Sequence, residues 1–303
     1  MLAYLYYFAA GYTGLVVALY MMSFVISKAS FVARILASYM ALLIAASFGV
    51  FASIALRLVG KAQQSQWVVA RFFKYLMMPA TGITFEVVDP EGHLRDGKTR
   101  PAVLIGNHQT ELDVLMLGCL FPQYCSVTAK ASLRRVPFLG WFMSLSDSIF
   151  IDRKNSKDAR EAMKGAADEI RSRRQNVYMF PEGTRSYTRE PTLLPFKKGA
   201  FHLAVQAQVP IVPCVVANYS HVLWIKGLHF SAGKIPVKVL DPIPTTGLTT
   251  ADVDELCKTT YDVMLKELII LTAQARGEPI TVPSNIDSTG VIMASGVDTK
   301  ASS

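Results

Sequence analysis

The stretch Val103-Leu104-Ile105-Gly106-Asn107-His108-Gln109-Thr110-Glu111-Leu112-Asp113 decides how the rest of the chain is read. An apolar run that suits a strand buried on both faces stops at Gly106-Asn107. A histidine follows, and a carboxylate comes five residues after it. On a single helix, five steps of 100° would leave the two about 140° apart and unable to cooperate. They meet if His108 lies in the loop after the strand and Asp113 in the first turn of the next helix. An open α/β sheet places its reactive groups there, at the carboxyl ends of its strands. Thr110 and Asp113 also fit a capping box as N-cap and N3, which is a purely structural use. A histidine held by a carboxylate is half of a nucleophile-activating triad. The other half, a serine on a G-x-S-x-G elbow, occurs nowhere in the chain.

Outward from this stretch the pattern is that of an α/β domain. Apolar and β-branched runs at 83–88, 102–105, 126–129, 148–151, 177–180, 211–216 and 237–240 predict strands, with helical periodicity between several of them. The clearest helix is 156–173, where Ala159, Met163, Ala166, Ala167 and Ile170 share one face. A last helix closes the domain over about 250–275. The alternation predicts a mixed, largely parallel sheet covered by helices.

The N-terminus differs. No charged residue occurs between 2 and 27 or between 35 and 56, and each run exceeds the roughly 20 residues that cross a bilayer core. With only Lys28 to Arg34 between them, the two runs predict a tight membrane hairpin that either crosses or dips in. Either way the rest of the chain stays on the side of the N-terminus. Lys28 and Arg34 lie in the turn, against Arg57, Lys61, Arg71 and Lys74 beyond it, a bias that puts the main domain in the cytosol. Residues 66–78 mix aromatics with Arg71 and Lys74 and read equally as an interfacial helix or an ordinary core-covering one. The expected organisation is thus a membrane-anchoring hairpin over 1–60, an interfacial helix over 61–82, a catalytic domain over 83–276 and a disordered tail over 277–303.

The 303 residues carry 31 Lys and Arg against 23 Asp and Glu, a net charge of +8. These basic residues flank apolar segments or enter loops, which suits a membrane surface or a phosphorylated substrate and speaks against nucleic acid. Four cysteines show neither zinc spacing nor a disulfide framework. No metal site and no cofactor are expected, and the oligomeric state is not legible.

Three further strand ends carry chemistry. Asn176 to Pro181 opens into Glu182-Gly183-Thr184-Arg185-Ser186, a loop of backbone N–H groups and one forked cation that suits a phosphate. Lys130 begins a basic, then strongly apolar stretch, and the strand ending at Ile151 runs into Arg153. The run 209–215, containing Pro213, reads as core or as an apolar wall. Asn218-Tyr219-Ser220 matches a glycosylation acceptor, unused in a cytosolic domain.

Taken in order, NHQTELD, KASLRRVPFLGWF with FIDR, FPEGTRS and VPIVPCVV resemble the four blocks of the glycerophospholipid acyltransferase family, over about 67–240. Within it they are most similar to the eukaryotic enzymes that acylate lysophosphatidate. The resemblance implies His108 as general base and Asp113 as the residue that orients it. Glu182, Gly183, Thr184 and Arg185 would bind the acceptor, with Arg185 on its phosphate. Lys130 and Arg153 would assist them, and Pro213 would shape the wall near the acyl chain. The substrate's own hydroxyl then replaces the absent serine, with acyl-CoA as co-substrate and the endoplasmic reticulum membrane as location. A relative acting on glycerol-3-phosphate or another lysophospholipid stays open, and so, remotely, does a non-catalytic membrane adaptor.

Overall fold

The computed structural model describes residues 2–94, 99–151 and 156–280. Arg153 and most of the expected tail therefore lie outside the described residues. Two long helices come first, α1 (Leu2–Met22) and α2 (Ser27–Leu58), then α3 (Ser65–Thr81). The α/β body follows as β1 (Ile83–Val88), β2 (Val103–Gly106), α4 (Asp113–Leu120), β3 (Cys125–Lys130), α5 (Leu139–Leu145), β4 (Ile149–Ile151), α6 (Ser156–Arg173) and β5 (Asn176–Met179). It continues with α7 (Gly199–Ala207), β6 (Ile211–Val216), β7 (Leu223–Trp224), β8 (His229–Phe230), β9 (Gly233–Val239) and α8 (Val253–Arg276).

Seven strands form one sheet in the order β1-β9-β6-β2-β5-β3-β4. The five from β6 to β4 run parallel, whereas β9 is antiparallel to β6 and carries β1 parallel to itself. The sheet is thus mixed and largely parallel. Alternate residues of β2 feed two separate cores. Leu104 joins Leu115, Met116, Phe73 and Met77 of α4 and α3 on one face. Val103 and Ile105 join Ile170, Phe201, Leu203 and Met264 of α6, α7 and α8 on the other. Helices on both faces explain why β2, β5 and β6 are buried throughout and carry no polar alternation. Because β2, β5 and β6 point the same way, the loops after all three open on one edge.

Pro213 lies inside β6, opposite Ile105 of β2. A proline has no N–H to donate, and here its carbonyl accepts the Leu240 N–H at 2.9 Å on the side of the sheet where β9 departs. Beyond the expected strands, β7 and β8 form a separate two-stranded ribbon. These are two-residue strands, too short to show any periodicity.

α1 and α2 do form an apolar pair, but the turn between them falls at residues 23–26 rather than 28–34. Lys28 to Arg34 make the first two turns of α2 instead. Arg34 is satisfied there by the carbonyl oxygens of Thr81 (2.9 Å) and Phe230 (3.2 Å), and Ser30 also bonds Phe230 O (2.9 Å). A charge bound in this way has no need of a solvated turn. Along α2, Ala29, Ala33, Ala37, Ala41, Ala45, Gly49 and Ser53 are all buried or follow the same four-residue row. A row of small side chains lets a neighbouring helix approach closely, and α3 lies against it.

Candidate active site

The site is built where β2 ends. A Cβ at Gly106 would collide with the Tyr178 hydroxyl of neighbouring β5, so only glycine lets the strand terminate this close to its partner. Asn107 then fastens the loop to the end of β6, donating to Val216 O at 2.9 Å and accepting from Val216 N–H at 2.8 Å. His108 follows, and its imidazole lies flat on the Phe180 ring, with centroids 3.9 Å apart and planes 16° from parallel.

His108 Nδ1 and Asp113 Oδ2 are 2.7 Å apart. Asp113 is only 1 % exposed and His108 18 %. The same Oδ2 accepts the backbone N–H groups of Gln109 (2.7 Å) and Thr110 (3.2 Å), and Oδ1 accepts the Tyr219 hydroxyl at 2.7 Å. Thr110 Oγ1 in turn accepts the Leu112 N–H at 3.1 Å. The expected capping box is not formed as such, because α4 begins at Asp113 with Leu112 as its N-cap and no side-chain cap; Thr110 and Asp113 instead close the turn before the helix, on the carboxylate that also meets the imidazole. With four donors aimed at it, Asp113 is held as an acceptor. Nδ1 then carries the proton, which leaves the lone pair on Nε2.

The loop after β5 is sewn to this one. Ser186 N–H bonds His108 O (2.9 Å), and Tyr187 N–H bonds Gln109 O (3.2 Å). Glu182, 2 % exposed, accepts the His108 N–H at 2.7 Å on one oxygen and the Leu194 N–H at 2.9 Å on the other. Both of its oxygens thus hold backbone rather than facing the opening. Gly183 turns the chain at φ 68°, where a Cβ would press on the Lys197 side chain. Thr184 is exposed. Arg185 reaches back to Glu111, with Nη1 at 3.0 Å from Oε1, and the Tyr187 hydroxyl donates to that same oxygen at 2.6 Å. Lys130 stands exposed at the same edge, at the end of β3. Pro213 is buried within the sheet, one residue before the level of Gly106.

Burial pushes the Glu182 carboxyl up from an ordinary 4.5 to about 7, against the pull of its two N–H donors and with a smaller push from Asp113. A carboxyl raised by folding stabilises the fold below its ordinary value, and that contribution is lost as pH climbs through the raised value. We therefore expect unfolding free energy to decline between about pH 4.5 and 7 by at most about 3.5 kcal/mol, at roughly 1.4 kcal/mol per pH unit. In Glu182→Gln that slope should flatten. Denaturation at stepped pH measures it, and an identical slope in both proteins would reject the assignment.

Reading by sequence missed Tyr219, Phe180, Tyr187 and Glu111 as parts of the site. Tyr219 was in view only within a glycosylation motif. Asn218 is in fact buried, with its amide nitrogen given to the carbonyls of Thr188 (3.1 Å) and Glu190 (3.2 Å), so it presents no acceptor for a glycan. The available signal was position. A tyrosine three residues past a buried parallel strand stands on the same edge as His108.

The acyltransferase family model matches residues 85–217. The 1-acyl-sn-glycerol-3-phosphate acyltransferase of Saccharomyces cerevisiae is 43% identical over 221 residues, covering 73% of this chain and 72% of the yeast protein. An uncharacterized acyltransferase of Schizosaccharomyces pombe is 44% identical over 236 residues, covering 78% of this chain and 84% of its own. The human 1-acyl-sn-glycerol-3-phosphate acyltransferase beta is 38% identical over 220 residues, covering 73% and 76%. Among solved structures, the 1-acyl-sn-glycerophosphate acyltransferase PlsC of Thermotoga maritima superposes with a TM-score of 0.64 at 23% identity, over 79% of this chain and 95% of that one. That likeness is one of fold.

Proposed function

Starting from the fact that this chain belongs to the acyltransferase family, we propose that it transfers a fatty acyl group from acyl-CoA to the sn-2 hydroxyl of 1-acylglycerol-3-phosphate, giving phosphatidate. The observation that carries the reading is the 2.7 Å His108–Asp113 contact, joined by backbone hydrogen bonds to the loop that bears Arg185. His108 Nε2 takes the hydroxyl proton as that oxygen attacks the thioester carbonyl. The tetrahedral intermediate then collapses and expels the CoA thiolate, which recovers a proton from the imidazolium. The acceptor brings the nucleophile, so the protein needs a base and a means of positioning, and each contributes heavily to rate. The names of the yeast and human relatives support the acceptor.

Arg185 is the residue we assign to the acceptor's phosphate, with Lys130 at the same edge and Gly183 and Thr184 shaping the turn between. Glu182 acts by positioning, since its carboxylate ties the two loops together. In the free enzyme Glu111 occupies the guanidinium, and an incoming phosphate competes with it. Arg185→Ala should raise KM for lysophosphatidate about ten- to hundredfold, the worth of a hydrogen bond to a charged group. Glu111→Gln should lower it. Steady-state kinetics on both variants decide this, and unchanged KM in Arg185→Ala would remove the phosphate from that residue.

For the acyl chain, the apolar cavity among α2, α3, α4 and α5, lined by residues such as Leu42, Phe73, Phe121 and Phe142, supplies a wall of matching chemistry. Pro213 pairs with Ile105, whose side chain belongs to the core of α6, α7 and α8, so it lies on the other face of the sheet from this cavity. The proposal includes a membrane location in the endoplasmic reticulum, with the α/β body facing the cytosol. Its support is α2, 32 residues long and holding an 18-residue stretch with a mean hydropathy of 2.1, together with exposed apolar side chains on α1 such as Phe8, Leu15 and Met21. A panel of acceptors with the purified chain in defined micelles tests the function. Turnover of lysophosphatidate above glycerol-3-phosphate and lysophosphatidylcholine is expected, and a preference for either of those would replace the acceptor.

A further inference from the structure

A cavity of about 500 Å³ opens beside the histidine loop, walled on one side by Gln109, Thr110 and Glu111 and on the other by Trp224 and Lys226. Glu111 and Tyr187, the partners of Arg185, also line it, so it borders the place given above to the acceptor's phosphate. Its position follows from strand order. β2 lies between β5 and β6, so the loop after β5, with Arg185, and the end of β3, with Lys130, lie to one side of His108. The loop after β6, running from Ala217 into the β7–β8 ribbon, lies to the other. Two substrates have to converge on His108. The cavity spans both loops, with Tyr187 and Thr188 at one end and Trp224 and Lys226 at the other, so a phosphate held at Arg185 leaves the Trp224 end for the polar part of the donor.

The chemistry of that end is specific. The Arg189 guanidinium, reaching across from the loop after β5, lies 5.5 Å from the centre of the Trp224 ring and the Lys226 ammonium 5.9 Å from it. Among the described residues neither cation is within ion-pair distance of a carboxylate. A half-exposed indole flanked by two uncompensated cations is matched by a ligand that is both aromatic and multiply anionic. The walls are also fixed beforehand. Ser220 Oγ and the Arg276 guanidinium both donate to Arg189 O, at 3.1 and 2.8 Å, while Asn218 holds the carbonyls on either side. A site ordered before binding loses less on binding.

We propose that this cavity seats the phosphoadenosine end of the acyl-CoA donor, with adenine on Trp224 and the phosphates on Arg189 and Lys226. The inference rests on the donor assigned above. The test uses the full chain in micelles with three donors: acyl-CoA, acyl-dephospho-CoA lacking the 3′-phosphate, and acyl-pantetheine lacking the nucleotide. Arg189→Ala and Lys226→Ala should raise KM for acyl-CoA about three- to thirtyfold and leave KM for lysophosphatidate unchanged. Their combined penalty should shrink with the dephospho donor and vanish with acyl-pantetheine. Trp224→Ala should follow the same pattern and Trp224→Phe should recover most of the loss. Equal turnover of acyl-pantetheine by every variant shows that the fold is intact. Variants that shift KM for lysophosphatidate instead, or that shift neither, overturn the site while the donor reading stands. A wild-type chain that turns over no acyl-CoA overturns the donor reading and this site with it.

Discussion

Replacing His108 with alanine is expected to lower turnover of acyl-CoA and lysophosphatidate by about 10²–10⁴, the range for loss of a positioned general base. KM for either substrate should move by no more than a few-fold. The expectation follows from geometry. Nδ1 is committed to Asp113 at 2.7 Å, which leaves Nε2 as the site's free basic atom. The nearby carboxylates are spoken for, because Asp113 accepts four donors and both oxygens of Glu182 accept backbone N–H groups. Neither can take over as base without leaving a buried N–H unpaired. The remaining rate would come from holding hydroxyl and thioester together, which the substitution leaves in place. Thiol release from acyl-CoA measures the loss, and near-wild-type turnover would dismiss His108 as the base. The alanine also leaves Asp113 its three other donors, so thermal stability should change little.

Asp113→Asn should behave differently, with a loss in kcat of roughly 10³–10⁴, the scale at which a histidine base suffers from the wrong tautomer. An asparagine offers one oxygen where the aspartate offers two, and its nitrogen brings hydrogens to a place already filled with donors. If that nitrogen faces His108, the imidazole proton is driven to Nε2 and the lone pair is lost. If it faces Tyr219, the hydroxyl 2.7 Å away loses its acceptor. Either arrangement buries an unsatisfied donor, at about 1–3 kcal/mol. The two substitutions are thus separable. Both remove activity, but only Asp113→Asn should also lower the melting temperature clearly. Equal melting temperatures for all three proteins would show that the carboxylate has no part in holding the turn before α4.

The sheet was legible because its central strands are buried on both faces and so appear as unbroken apolar runs such as Val103–Ile105 and Ile211–Val216. The His108–Asp113 pair was legible because five residues span a strand-to-helix turn and rule out a shared helix. Partners across the sheet were not. Tyr219 meets Asp113 from 106 residues away, and nothing in periodicity says that β6 rather than β3 neighbours β2. Glu182 illustrates a different limit. The sequence shows an acidic residue in a polar loop, and such a residue reads as facing solvent or ligand. Only the fold reveals that two backbone N–H groups point into that loop and need an acceptor. Arg34 misled in the same way, since a charge between apolar runs suggests an exposed turn until carbonyl partners from Thr81 and Phe230 are seen.

That anchoring of α2 bears on how the protein meets lipid. A helix joined by a slack linker would act as a mooring line, letting the catalytic body ride at varying heights above the bilayer. α2 is instead clamped along its length, by its row of small residues against α3 and by Ser30 and Arg34 at its start. It is part of the hull. Under the membrane location proposed above, the draught of the enzyme is set by side-chain packing, and His108 sits at one fixed depth. Lysophosphatidate must then be lifted to that waterline, which makes the reach of its headgroup, rather than any motion of the protein, the measure of which lipids arrive.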